Sequence, residues 1–222
     1  MHVVRDDLIG GGTKARYLVH LFDNAEEIVY ATPAEGGAQT ALAWAARELG
    51  KKATLFVAKR QQPHARALMA KALGATVWQV SPGYLTVVQA RARAYCEATG
   101  AKLAPFGVDM PEAIEAIANA ARSTGLQPDE VWCASGSGVL ARGLAKAWPD
   151  ARRHVVQIGR TLSGDDVAGA TIHVSPYQFG QVCKIVPPFS SDPHYDAKAW
   201  EIAKARHGPG LVVMWNVTGP AA

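Results

Sequence analysis

Within RDDLIGGGTKARYL, residues 5–18, a single amine, Lys14, stands directly behind three consecutive glycines and at the mouth of an amphipathic run. A lysine acts as a nucleophile only when unprotonated, and burial beside apolar or cationic groups lowers its pKa toward that state. The ordinary alternative is a solvated residue in a helix's first turn, since lysine is almost never fully buried. Two further glycine turns, PAEGGAQ at 33–39 and ASGSGV at 134–139, share this placement before a helix. Each would expose backbone N–H groups at a helix start, an arrangement that suits an anion. ASGSGV carries the stronger signal, with two glycines and two hydroxyls behind an apolar run, although glycine at such a turn also serves the backbone alone. It lacks the GxGxxG spacing, and no acidic residue closes the following run HVVQIG, so dinucleotide binding is not expected. Toward the other end, DPHYDAKAW (192–200) sets Tyr195 and Asp196 ahead of an alanine-rich stretch. Read locally, the pair is a turn with Asp as a helix N-cap.

These residues need strands and helices to hold them. EIVYAT (27–32), ATLFVA (53–58), ATVWQV (75–80), EVWCAS (130–135), HVVQIG (154–159) and LVVMWNV (211–217) read as buried strands. Helices are expected over 36–50, 62–74, 84–99, 111–124, 138–148 and along DAKAWEIAKARHG to Gly208. KLAPF, ATIHVS and KIVPPF are possible short strands. Continuous apolar strands joined by helical crossovers imply parallel sheets covered on both faces. In such sheets ligands bind at the carboxyl ends of the strands, where the glycine turns fall.

The bulk composition narrows the classes. The chain has 222 residues, 49% hydrophobic and 19% charged, with a net charge of +4. That is ordinary for a globular protein able to bury a core. Lys and Arg are scattered, without the basic stripe and stacking aromatics of a nucleic-acid surface. No apolar run is long enough to span a bilayer and MHVVRDDL is too polar for a signal peptide, so a cytoplasmic protein is expected. Cys96, Cys133 and Cys183 have neither disulfide nor metal-site spacing, and the histidines form no metal pattern. His154 reads as the end of a surface turn, and Trp44, Trp78 and Trp132 as core packing.

Taken in order, the motifs resemble the fold-type-II pyridoxal-phosphate enzymes, the tryptophan-synthase-β-like group. Within it they are most similar to the branch of 1-aminocyclopropane-1-carboxylate deaminase and D-cysteine desulfhydrase. The acidic run followed by GGGTKAR corresponds to the branch's Gly-Gly-Asn-Lys segment. ATPAEGGAQTALAWAARELG corresponds to its substrate loop and helix, and ASGSGVLARGLA to its cofactor-phosphate loop. DPHYDAKAW and VVMWNVTG correspond to its last two motifs.

The resemblance implies an α/β fold of two lobes with open parallel sheets. A larger cofactor lobe would comprise 1–33 and 120–222, and a smaller substrate lobe 34–119. It implies pyridoxal 5'-phosphate bound through a Schiff base to Lys14, with Ser135, Gly136, Ser137, Gly138 and Val139 at the phosphate. Asp196 and Thr218 would lie near the ring, and Tyr195 would be an acid–base or nucleophilic group. Ala34, Glu35, Gly36, Gly37 and Ala38 would receive a small amino acid, which the enzyme, a homodimer, would process by elimination or deamination. The substrate loop departs from the pattern, because it lacks the usual Ser and Asn side chains and carries Glu35, which would repel a carboxylate if it pointed inward. The alternative reading is therefore a relative that keeps the fold and acts as a binding or regulatory protein without catalysis.

Overall fold

The computed structural model describes residues 1–220. In chain order its regular elements are β1 (His2–Arg5), α1 (Ala15–Leu18), β2 (Glu27–Thr32), α2 (Ala38–Glu48) and β3 (Lys52–Ala58). There follow α3 (Ala65–Ala72), β4 (Thr76–Val80), α4 (Leu85–Thr99), β5 (Lys102–Leu103), α5 (Pro111–Ser123) and β6 (Glu130–Ser135). The chain closes with α6 (Val139–Ala147), β7 (Arg152–Gln157), β8 (Thr171–Val174), α7 (Asp196–Arg206) and β9 (Val212–Asn216). Every strand pairing is parallel.

Two compact units emerge: Met1–Arg16 with Asp109–Pro220, and Tyr17–Val108. The larger unit holds a five-stranded sheet ordered β1-β9-β6-β7-β8, and the smaller a four-stranded sheet ordered β4-β3-β2-β5. The lobe borders expected at 33/34 and 119/120 are corrected by strand pairing. β2 bonds to β3 and β5 along Ile28 and Val29, which ties it to the smaller unit's sheet. Helix α5 packs with α6 of the larger unit.

The apolar runs form the strands because parallel strands covered on both faces must be apolar throughout. β6 and β9 are buried along their whole length. Trp132, Val156, Ala199 and Met214 form the core between this sheet and α7. KIVPPF forms no strand, since two prolines remove the donors a ladder needs. HVVR at the start of the chain, polar enough to pass for a loop, becomes edge strand β1 by pairing with β9. His154 belongs to β7 rather than to a surface turn. Its ring stacks on Trp132 at 4.3 Å and lies 3.1 Å from His173 by its Nδ1. Burial lowers the pKa of both imidazoles, partly offset at His154 by Glu130. Trp78 is 52% exposed rather than core.

Helices α5 and α6 approach closely at Gly143. A Cβ there would stand 2.6 Å from the Cβ of Ile117, itself fully buried. Gly143→Ala would gain about 1 kcal/mol in helix propensity, but overpacking costs about 1–3 kcal/mol. The expected result is net destabilisation of up to about 2 kcal/mol, read as a lower urea midpoint at unchanged slope; a midpoint above wild type would refute this packing.

Candidate functional site

In the larger unit all parallel strands exit at one end, so their following turns collect there. β1 leads through the turns Asp6–Leu8 and Gly12–Lys14, β6 into Ser135–Gly138, β7 toward Arg160, and β9 into Val217 and Thr218. The first turn of α7 adds Tyr195 and Asp196. The predicted residues Lys14, Ser135–Val139, Tyr195, Asp196 and Thr218 therefore lie on turns and helix starts linked by bonds at this end of the unit.

The Lys14 turn is held on both sides. The N–H of Thr13 donates to the carbonyl of Val217 at 3.0 Å. Gly12 has φ +67°, and a Cβ there would overlap the same carbonyl, so the turn needs glycine for both conformation and space. Asp6, 1% exposed, accepts from Thr13 Oγ1 at 2.7 Å, from Arg16 Nε and Nη2 at 2.9 and 2.6 Å, and from Trp215 Nε1 at 3.0 Å. One buried carboxylate thus grips the residue before Lys14 and the residue two beyond it. Arg16 also lies over the Trp215 ring. Lys14 itself is half-buried.

Asp196 is fully buried, and its carboxyl does not cap α7: Oδ2 accepts from the N–H of Thr218 at 3.1 Å. The other oxygen, Oδ1, is buried without a hydrogen-bond partner. Burial raises its pKa well above the ordinary aspartate range, reinforced by Asp192 and opposed by the Val217 and Thr218 amides and by the nearby Lys14 ammonium. Desolvation dominates, so the proton is held tightly.

At the β6 exit, Gly138 N–H donates to Ser135 Oγ and Gly136 N–H to the Tyr195 hydroxyl, both at 2.9 Å. Tyr195 is thereby fixed against the loop. Gly138 adopts φ +89°, and a Cβ there would overlap the carbonyl of Asp166. The first N–H groups of α6 follow directly and have no partner within the helix.

Ala34–Ala38 lie in the smaller unit, at the start of α2. Gln39, fully buried, donates from Nε2 to the carbonyls of Ala34 and Gly36 at 2.8 and 2.9 Å. Both partners are acceptors, which fixes the amide orientation and leaves Oε1 buried without a partner. Glu35 pairs with Arg60, so its charge is offset rather than presented to a ligand. The guanidinium of the buried Arg66 packs against Gly37.

Asp6, Arg16, Gln39 and Arg66 escape a reading of the sequence. The visible signals are an acidic pair ahead of the glycines and one amide in an alanine-rich helix. Lys198, from the same motif as Tyr195, is a fully buried amine. It donates to the carbonyls of Gln178 and Phe179 at 2.9 and 3.2 Å, a structural use. No group of three metal-binding side chains occurs among the described residues, and no helix among them is long and apolar enough to cross a membrane.

Parallel strands whose exits carry an amine, a glycine loop at a helix start and a buried carboxyl define an α/β scaffold of the kind that holds a phosphorylated cofactor. The family model described as pyridoxal-phosphate dependent enzyme matches residues 5–214, and the chain belongs to that family. Pyridoxal 5'-phosphate is the cofactor this membership implies. Among solved structures, an ACC deaminase homologue superposes with TM-score 0.78 at 19% identity, covering 98% of this chain and 83% of its own. The threonine deaminase of T.th. gives 0.71 at 20% identity, covering 98% and 86%. Maize serine racemase gives 0.72 at 14% identity, covering 99% and 83%. No curated protein matches the sequence significantly. These likenesses establish the tryptophan-synthase-β-like fold.

Two outcomes test the geometry. Asp6→Ala strips four donors of one buried acceptor, and a loss of about 2–4 kcal/mol is expected in urea unfolding. A loss below about 1 kcal/mol would show that the brace carries little. For Asp196 the raised folded pKa means the folded state keeps a proton that the unfolded state releases as pH rises past 3.8, so this residue costs stability at neutral pH. Asp196→Asn should therefore be the more stable protein at pH 7, with the advantage shrinking as pH falls toward 3.8. An advantage that is independent of pH would contradict the assignment.

Proposed function

We propose that the chain is a pyridoxal-phosphate-dependent deaminase or lyase of a small amino acid and that Lys14 carries the cofactor. The observation that carries the reading is the linkage of the Lys14 turn, the Ser135–Val139 loop, Asp196 and Thr218 at the strand exits of one sheet. The residues fit the cofactor. Oδ1 of Asp196, buried without a partner, supplies what a pyridine nitrogen needs from a carboxyl, while the loop offers N–H groups at a helix start to a phosphate. The bound cofactor would supply an electron sink for the pair released when a bond at the substrate's α-carbon breaks.

The remaining work falls to the chain. Asp6 fixes the turn so that the Lys14 amine points from a stationary backbone. Lys14 would hold the cofactor, and its amine would be the group that takes or gives a proton at the substrate's α-carbon. Asp196 would hold a proton at its unpartnered oxygen, the group suited to partner the ring nitrogen. Thr218, whose amide bonds Asp196, would lie near the ring with its hydroxyl. The Tyr195 hydroxyl accepts from the Gly136 amide, which holds it beside the loop as the acid–base group of this reading. In the smaller unit, the N-terminal amides of α2 beside Gly36 and Gly37 are suited to the amino acid's carboxylate, and the pairing of Glu35 with Arg60 removes the repulsion expected from the sequence.

A second reading, cofactor binding without turnover, is favoured by one feature: the loop Ala34–Ala38 brings no hydroxyl or amide side chain of its own. One experiment separates the two. The purified protein should be yellow, and borohydride should fix the cofactor to a peptide containing Lys14. Lys14→Ala should abolish both the colour and the adduct. Release of ammonia and a keto acid from small D- or L-amino acids is expected; colour and adduct without any product would favour the binding reading. A protein that stays colourless with added pyridoxal phosphate overturns both.

A further inference from the structure

Beside the Ser135–Gly138 loop runs a strap that neither the sequence motifs nor the proposed chemistry uses. Arg160, just past the end of β7, donates from Nε to the carbonyl of Gly136 at 3.2 Å and from Nη2 to that of Ser137 at 3.4 Å. The same Nη2 meets Oδ1 of Asp166 at 2.6 Å. Oδ2 of Asp166 accepts from the amide and the hydroxyl of Ser163, each at 2.8 Å. The Asp166 carbonyl packs where a side chain of Gly138 would stand. The loop is thus gripped on its carbonyl side by one guanidinium, itself anchored to a short turn.

The orientation matters. In a planar trans peptide the carbonyl and the next residue's N–H point in opposite directions. A cation on the Gly136 and Ser137 carbonyls therefore turns the N–H groups of Ser137 and Gly138 away from Arg160. Gly138 N–H is taken by Ser135 Oγ, which leaves Ser137 N–H to face outward with the first N–H groups of α6. Asp166 neutralises Arg160, and its carboxyl is held well below the usual range, first by the Ser163 amide and then by Arg160. The strap consequently adds alignment rather than net positive charge.

We infer that Arg160, anchored by Asp166, is a positioning residue that orients the peptide dipoles of the Ser135–Gly138 loop toward the phosphate of the cofactor. This rests on the cofactor reading given above. It makes the strap a determinant of how well the protein distinguishes a phosphorylated pyridine aldehyde from the same aldehyde without phosphate.

The test is equilibrium dialysis of the full chain against pyridoxal phosphate and, separately, against pyridoxal. Hydrogen bonds to a charged group set the scale. Arg160→Ala should weaken pyridoxal phosphate about tenfold or more while changing pyridoxal by less than about twofold. Asp166→Asn, which keeps the guanidinium but loosens its anchor, should shift the same ratio in the same direction by about threefold. Arg160→Lys keeps the charge and loses the planar fork, so it should behave like the alanine variant. The variants with native circular dichroism decide the matter, and any one of the three suffices. Equal weakening of both ligands, unchanged affinity in Arg160→Ala, or full retention by Arg160→Lys overturns the positioning role. Failure of the wild-type protein to bind pyridoxal phosphate overturns the cofactor reading, and this inference with it.

Discussion

Strand β9 is the seam of the larger unit. It lies between β1 and β6 and pairs with both, so the glycine turn after β1 and the Ser135–Gly138 loop after β6 become neighbours only because β9 stands between them. The junction is tightened where the strand ends. Val217 accepts from Thr13, and Thr218 donates to Asp196. A chain with the same turns but without that strand would have the same side chains and nothing to bring them together.

Around the seam, two buried aspartates show opposite electrostatic solutions. Asp6 is saturated by an arginine fork, a hydroxyl and an indole N–H, so its charge is compensated and serves to fix a backbone. Asp196 has only backbone amides against its carboxyl and one oxygen idle, and it sits near another acid, Asp192. Groups at which burial is left uncompensated are where functional chemistry collects. The same contrast separates the two lysine-bearing segments: the Lys198 ammonium is spent on carbonyls, whereas Lys14 rides on a turn braced through its neighbours.

Much of this was readable from residue order. The parallel α/β class followed from apolar runs alternating with alanine-rich helices, and EIVYAT and EVWCAS became strands over the residues expected. The glycine turns marked the strand exits because only glycine serves there for reasons visible in one dimension. What stayed hidden depends on contacts distant in sequence. β1 is a strand only through its pairing with β9, and the bond that ties Asp6 to the sheet comes from Trp215, more than two hundred residues later. The role of Asp196 reversed for the same reason: locally an N-cap, it is captured instead by an amide from beyond β9. Glu35 looked repulsive because its partner, Arg60, lies one strand away. Arg160 gave no signal, since a lone arginine after a strand is ordinary.

The order of units along the chain has a consequence for how the protein comes into being. The smaller unit is one continuous stretch, Tyr17–Val108, inserted into a larger unit that is split by it. On the ribosome the insert is complete while the larger unit has, of its five strands, only β1 and the glycine turn behind it. The amine of Lys14 is synthesised early, yet its surroundings close only when β9 slides between β1 and β6. Such long-range parallel pairing is intrinsically slow. Any half-made chain therefore has the Lys14 turn without the Val217 contact that holds it, which comes only with the last of the five strands to be built.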